Sequence, residues 1–261
     1  TGSAAQRDVA AQVLLSMPDL VLITGDVVYD SGAPHELDPH YFVPYQRLID
    51  RIPFYVALGN HDIATDGGRP LLDALHLPVN DRDGSERFYS FDRGHCHFVA
   101  LETTGETAPG SVQGDWLEAN LAATSATWIF VFFHHPPFSS SRHGSELRVR
   151  FDLSPVFDRH GVDLVFSGHD HDYERTFPLR GEQVFDVARD PDHVDPGGPI
   201  YVVTGGGGNE VYENGSSEFT AHSASVHHLV QIDVDGLVLT LRAFSSVGQI
   251  FDRMTLTKSQ P

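Results

Sequence analysis

The stretch GVDLVFSGHDHDYER, residues 161–175, runs from a short, mainly apolar segment straight into two histidines separated by one acid. Residues 162–166 have the length and β-branching of a buried strand. On the extended segment that follows, alternate side chains share a face, so His169 and His171 point the same way. Two readings fit this stretch by itself: a polar loop after a buried strand, and a metal site at a strand end.

The pattern recurs three times. DLVLITGD (19–26), IPFYVALGNHD (52–62) and TWIFVFFHHPP (127–137) each carry an apolar run into polar residues at its C-terminal end. In α/β sheets that edge is where ligands bind. Helical spacing over 4–17, with Ser3 as N-cap, and over roughly 40–51, 69–77, 113–124 and 152–160 separates the strands. A hairpin-like pair occupies 87–104. From residue 199 onward the chain reads as strands joined by glycine-rich turns, and 186–199 reads as a polar loop. No linker divides the chain, so residues 1–261 are expected to form one α/β domain.

Bulk properties narrow the choices. The net charge of −19 repels nucleic-acid backbones and anionic membrane surfaces, so neither is expected as a partner. A phosphate substrate is repelled too, unless bound cations reverse the local sign. A single cysteine, Cys96, excludes an internal disulfide and reads as a small buried hydrophobe. No run of 18 apolar residues offers a membrane span.

The four strand ends gather Asp26, Tyr29, Asn60, His61, Asp62, His134, His135, His169 and His171. Carboxylate, phenolate, amide oxygen and imidazole form a donor set for hard to borderline cations, without thiolate. A set this large suits two metals, which a carboxylate such as Asp26 bridges at about 3.5–4 Å. Each residue also has an ordinary reading. Asp26 fits a turn, Tyr29 a packed aromatic, Asn60 and His61 a helix cap, and either His134 or His135 fits a ligand. His227 and His228 read as a late strand with one ring inward. TGGGGN (204–209) lacks the Lys-Ser/Thr and helix of a phosphate loop and reads as a tight turn beneath the site. Asp190, Asp192, His193 and Asp195 read as a solvated loop rather than a calcium site.

GDVVY (25–29), GNHD (59–62), VFFH (131–134) and GHDH (168–171), in order and each at a strand end, resemble the calcineurin-like metallophosphoesterases. The tyrosine of GDVVY and the YER at 173–175 resemble the purple acid phosphatase branch. The resemblance implies a four-layer αββα sandwich of two mixed sheets flanked by helices. It implies that Asp26 bridges two metal ions, that Tyr29 and His171 hold the first, and that Asn60, His134 and His169 hold the second. His134 rather than His135 matches the pattern. The implied metals are Fe3+ with a divalent Fe2+, Zn2+ or Mn2+. His61 would hold the phosphate and help protonate the leaving group, with Asp62 orienting it, and His143 would be a further substrate histidine.

The family's earlier Asp motif has no counterpart before Asp8, which lies on the first helix. The resemblance therefore implies a first metal one ligand short and a sheet one central strand short. The implied function is two-metal hydrolysis of a small phosphate monoester at acidic pH by a secreted or periplasmic protein. A phosphodiesterase of cyclic or linear nucleotides is the alternative within enzymes, and a metal-binding protein without catalysis is the alternative outside them. The sequence leaves the physiological substrate and the oligomeric state open.

Overall fold

The computed structural model describes residues 1–80, 84–185 and 191–260. The chain opens with α1 (Ala4–Ser16), β1 (Val21–Ile23), α2 (Pro34–Leu37), α3 (Val43–Ile49), β2 (Phe54–Val56) and α4 (Arg69–Ala74). The hairpin β3 (Tyr89–Arg93) and β4 (Cys96–Ala100) follows, then α5 (Val112–Ala123), β5 (Trp128–Phe132), α6 (Leu147–His160), β6 (Leu164–Ser167) and β7 (Tyr173–Thr176). The rest is strand: β8 (Leu179–Arg180), β9 (Gln183–Val184), β10 (Asp192–Val194), β11 (Ile200–Thr204), β12 (Thr220–Ala224), β13 (His228–Asp235), β14 (Val238–Ser245) and β15 (Ile250–Thr257).

A seven-stranded mixed sheet in the order β12-β7-β11-β6-β5-β4-β3 forms the centre. Its strands β4, β5 and β6 run parallel and are buried along their whole length, as strands covered on both faces must be. Alternate side chains serve opposite faces. Phe98, Phe130, Phe166 and Tyr173 pack with Leu239, Leu241, Met254 and Leu256 of a four-stranded sheet ordered β10-β15-β14-β13. Val99, Val131 and Val165 pack instead against Leu117 and Leu121 of α5 and Val149, Leu153 and Phe157 of α6. The parallel pair β1-β2 lies on the first of these cores through Leu22 and Tyr55. Val56 and Leu58 turn from the pair toward Leu37, Tyr41 and Leu71 of the α2–α4 segment. The layers therefore run helix, sheet, sheet, helix.

Strands β1 and β13 each pair on one side only among the described residues. Residues of both line a cavity of about 770 Å3, whose walls also include Phe130, Phe166, Asp26 and Gly168. Across the sheets, Arg175 donates from Nε and Nη2 to Asp252 at 2.7 and 2.9 Å, and Tyr173 Oη donates to the same carboxylate at 2.6 Å. His228 is the inward ring of its pair. Its Nδ1 meets the Val226 carbonyl at 2.9 Å and its Nε2 meets Thr204 Oγ1 at 3.0 Å.

Most expected elements form. Ser3 caps α1, its Oγ accepting the Gln6 N–H at 3.0 Å. Cys96 is buried in β4. Helix α6 begins at Leu147 rather than near 152, because Glu146 caps it and the helix runs through Pro155. The 40–51 helix is shorter, Val43–Ile49, and is preceded by a wider turn over Asp38–Phe42. The polar loop is interrupted: Asp192–Val194 pairs in parallel with β15, and His193 is buried there. Asp190 lies outside the described residues.

Candidate metal centre

The four polar strand ends come from different layers. β1 and β2 deliver Asp26 and Asn60, whereas β5 and β6 of the seven-stranded sheet deliver His134 and His169. Their loops meet closely enough to need glycine. A Cβ on Gly59 would strike the carboxylate and backbone N of Asp26. Gly25, at φ 89°, would place one 2.7 Å from His134 Nδ1. Asp26 and His169 are themselves in the left-handed region, at φ 51° and 66°. Non-glycine residues held there store roughly 1–3 kcal/mol each, and such strain gathers at functional sites.

Four atoms converge on one point. His134 Nε2 lies 3.0 Å from Asn60 Oδ1, 3.1 Å from His169 Nδ1 and 3.3 Å from Asp26 Oδ2. His134 Nδ1 meets the Thr24 carbonyl at 3.0 Å, and a carbonyl only accepts, so the ring proton sits there. Nε2 then presents a lone pair to an amide oxygen and a carboxylate that also only accept. Such a group needs a cation at its centre. Ligands about 2.0–2.2 Å from a tetrahedral or octahedral ion are themselves ~3.0–3.5 Å apart, which matches this spacing.

A second cluster shares Asp26. Tyr29 Oη lies 3.2 Å from Asp26 Oδ2 and 3.2 Å from His171 Nε2. His171 Nδ1 is held by the Glu210 carbonyl at 2.9 Å, which leaves Nε2 to face the tyrosine. Asp26 Oδ1 accepts the His61 N–H at 2.9 Å, so the carboxylate is fixed at both oxygens. One oxygen, Oδ2, thus faces both clusters, and the donors fit a pair of ions sharing a carboxylate.

The electrostatics agree. Burial, then the neighbouring His134, His135 and His143, hold His169 at about 3, so its lone pair is free. Burial pushes Asp26 up, but His134 and the His61 N–H outweigh it and keep the acid below the usual carboxylate range. Burial opposes a charge on His134, yet the neighbouring Asp26 outweighs it and raises the imidazole overall, so the site favours positive charge at this point. Burial and then Asp26 raise the Tyr29 phenol well above its ordinary value. Tyr29 keeps its proton unless a strong Lewis acid displaces it.

Other expected residues fall as follows. His61 Nδ1 meets the Asp30 carbonyl at 2.7 Å, and its ring lies 4.5 Å from that of Tyr29. Asp62 does not touch that ring, which corrects the expectation that it orients His61. It is fully buried, accepting the Val28 N–H at 3.0 Å and the Gly59 N–H at 2.9 Å, and ties the two loops together. His143 does reach the site, its ring 4.3 Å from that of His169. His135 forms a three-imidazole group with His134 and His169, while its Nδ1 meets Thr103 Oγ1 at 3.0 Å.

Three further residues were not anticipated. Asp170 is fully buried against the His143 loop, its Oδ1 lying 2.9 Å from His143 Nδ1. Tyr212 stacks on His171 at 4.3 Å, with Arg142 5.0 Å above its ring. Asn209 ends the TGGGGN turn and hydrogen-bonds Tyr29. Only Asp170 had a signal in the sequence, its place between two candidate ligands.

The comparisons follow this geometry. The profile described as calcineurin-like phosphoesterase matches residues 4–173. The chain is 27% identical over 234 residues to purple acid phosphatase 15 of Arabidopsis thaliana, covering 77% of this chain and 42% of that protein. It is 28% identical over 221 residues to acid phosphatase type 7 of Mus musculus, covering 74% of this chain and 49% of that one. The purple acid phosphatase PPD1 from yellow lupin seeds superposes with a TM-score of 0.90 at 22% identity, over 98% of this chain and 50% of that one. The chain thus spans about half the length of the relatives it matches.

Proposed function

The chain belongs to the calcineurin-like phosphoesterase family, and from that premise we propose that it hydrolyses phosphate monoesters with two bound metal ions. The observation that carries this reading is the shared oxygen, Asp26 Oδ2, 3.3 Å from His134 Nε2 and 3.2 Å from Tyr29 Oη. Tyr29, His171 and Asp26 would hold one ion; Asn60, His134, His169 and Asp26 would hold the other. Bound there, the cations supply charge neutralisation for the phosphate oxygens and a nucleophile at neutral or acid pH.

The chain's own residues do the rest. Thr24 and Glu210 carbonyls fix the tautomers of His134 and His171 so that lone pairs face inward. The Asp30 carbonyl accepts the Nδ1 proton of His61, so a second proton carried on Nε2 would hold a phosphate oxygen and pass to the leaving oxygen. The buried Asp62 keeps the loops carrying Tyr29 and Asn60 in register. The purple acid phosphatase resemblance would place Fe3+ in the first position, a Lewis acid strong enough to displace the proton that burial and Asp26 keep on the Tyr29 phenol, with Fe2+, Zn2+ or Mn2+ in the second. The relatives' branch supports a secreted or periplasmic setting; no helix among the described residues is long and apolar enough to cross a membrane.

The experiment pairs elemental analysis with turnover. Two metals per chain and hydrolysis of a monoester faster than a diester are expected. His61→Ala should keep its metals and lose turnover. Equal loss of both would make His61 a structural residue, and no turnover in the wild type would favour a metal-binding role. Tyr29→Phe should remove the visible charge-transfer band of a ferric tyrosinate; a variant that kept it would contradict iron at Tyr29.

A further inference from the structure

The segment that supplies His169 and His171 also carries acids on its other side, and these hold a second loop. Glu174 accepts the Ser140 N–H at 2.6 Å and the Ser140 hydroxyl at 2.8 Å. Asp170 accepts the Ser139 hydroxyl on Oδ2 at 2.5 Å. Its Oδ1 lies 2.9 Å from the backbone N of His143 and 2.9 Å from that residue's ring Nδ1. The loop 139–143 is therefore fastened to the same short segment whose His169 and His171 reach the two candidate metal positions.

We propose that Asp170 is a positioning residue that holds the imidazole of His143 with its proton on Nδ1 and Nε2 turned to the cleft. Oδ1 accepts the backbone N–H of His143, so at the ring contact it accepts again and Nδ1 donates. Asp170 has no exposed surface, whereas the His143 side chain is 40% exposed. A buried carboxylate needs compensation, because burying an unpaired charge costs several kcal/mol. Among the described residues no lysine or arginine pairs with Asp170, and the His143 ring is its one partner within ion-pair distance. The ring has little freedom, with His169 at 4.3 Å and Tyr212 at 5.4 Å. No other hydrogen bond of His143 forms among the described residues. The arrangement gives an acid–imidazole dyad in which the acid touches neither substrate nor metal and acts through the histidine.

The catalytic part of this inference rests on the reading under Proposed function; the tautomer part does not. The test uses zinc-reconstituted full chain labelled with 15N-histidine. Long-range proton–nitrogen spectra are recorded, and the His143 signals are identified by their absence in His143→Ala. A proton on Nδ1 is expected in the wild type, and an Nδ1 without a proton overturns the proposal. In turnover of a phosphate monoester, Asp170→Asn should lower kcat roughly 10–100-fold, the range for outer partners of site histidines. In the His143→Ala background the same change should alter kcat less than twofold. An equal loss in both backgrounds, or a loss of metal in Asp170→Asn, would show that Asp170 acts on the fold or the metal site and overturn the proposal. If the wild type turns over no ester, the function fails, and the tautomer still decides the dyad.

Discussion

His228 makes stability fall with acidity by an amount that can be worked out. It is 2% exposed, and its two nitrogens are committed to the Val226 carbonyl and Thr204 Oγ1. Burial, largest among the causes, lowers it from 6.5 to about 4. The unfolded chain therefore binds a proton that the folded chain does not, between pH 6.5 and 4. Stability from the neutral ring is complete above pH 6.5 and is lost as the pH falls through that window. At about 1.4 kcal/mol per unit, the loss is about 2 kcal/mol by pH 5 and about 3 by pH 4. The assay is urea unfolding of metal-stripped wild type and His228→Gln at pH 8 and pH 5. Stripping matters because bound metal adds its own linkage. The stability difference between the two proteins should change by about 2 kcal/mol between the two pH values, a midpoint change of order 1 M urea. A difference that does not move with pH would refute a buried neutral His228. The result bears on function, since the relatives are named acid phosphatases while this ring resists acid.

Two further predictions concern the loops at the strand ends. Gly59→Ala forces a Cβ into the Asp26 carboxylate, so elemental analysis should show metal lost from both positions, whereas Gly207→Ala, with open space around it, should retain it. Asp62→Ala leaves the Val28 and Gly59 N–H groups without their acceptor. At about 1–3 kcal/mol each, the metal-stripped protein should lose roughly 2–6 kcal/mol in urea, and an unchanged midpoint would show that Asp62 does not tie the loops.

The site was more legible than the fold around it. The motifs are short and local, and four apolar runs ending in polar residues already place Asp26, Asn60, His134 and His169 at strand ends. Partners across the chain left no local signal. Asp62 follows His61 in sequence, which suggests a pair, but the 3-10 turn after His61 carries its carboxylate back to the Val28 and Gly59 N–H groups. Tyr212 lies in an irregular segment with no periodicity to read. The spacing places the start of α6 near 152, whereas the Glu146 cap starts it at Leu147 and the helix runs on through Pro155. The strand β12 is only half-buried, and its pairing with β7 shifts register between Thr220 and His222, so alternation does not reveal it.

The double duty of residues 169–174 limits how this segment can vary. Its imidazoles serve one side and its carboxylates the other, as the contacts of His169, His171, Asp170 and Glu174 show. A substitution at one position disturbs one client only. A single-residue insertion or deletion here displaces every residue after it, so both sets of contacts are disturbed at once. Length along this segment is therefore constrained more tightly than identity.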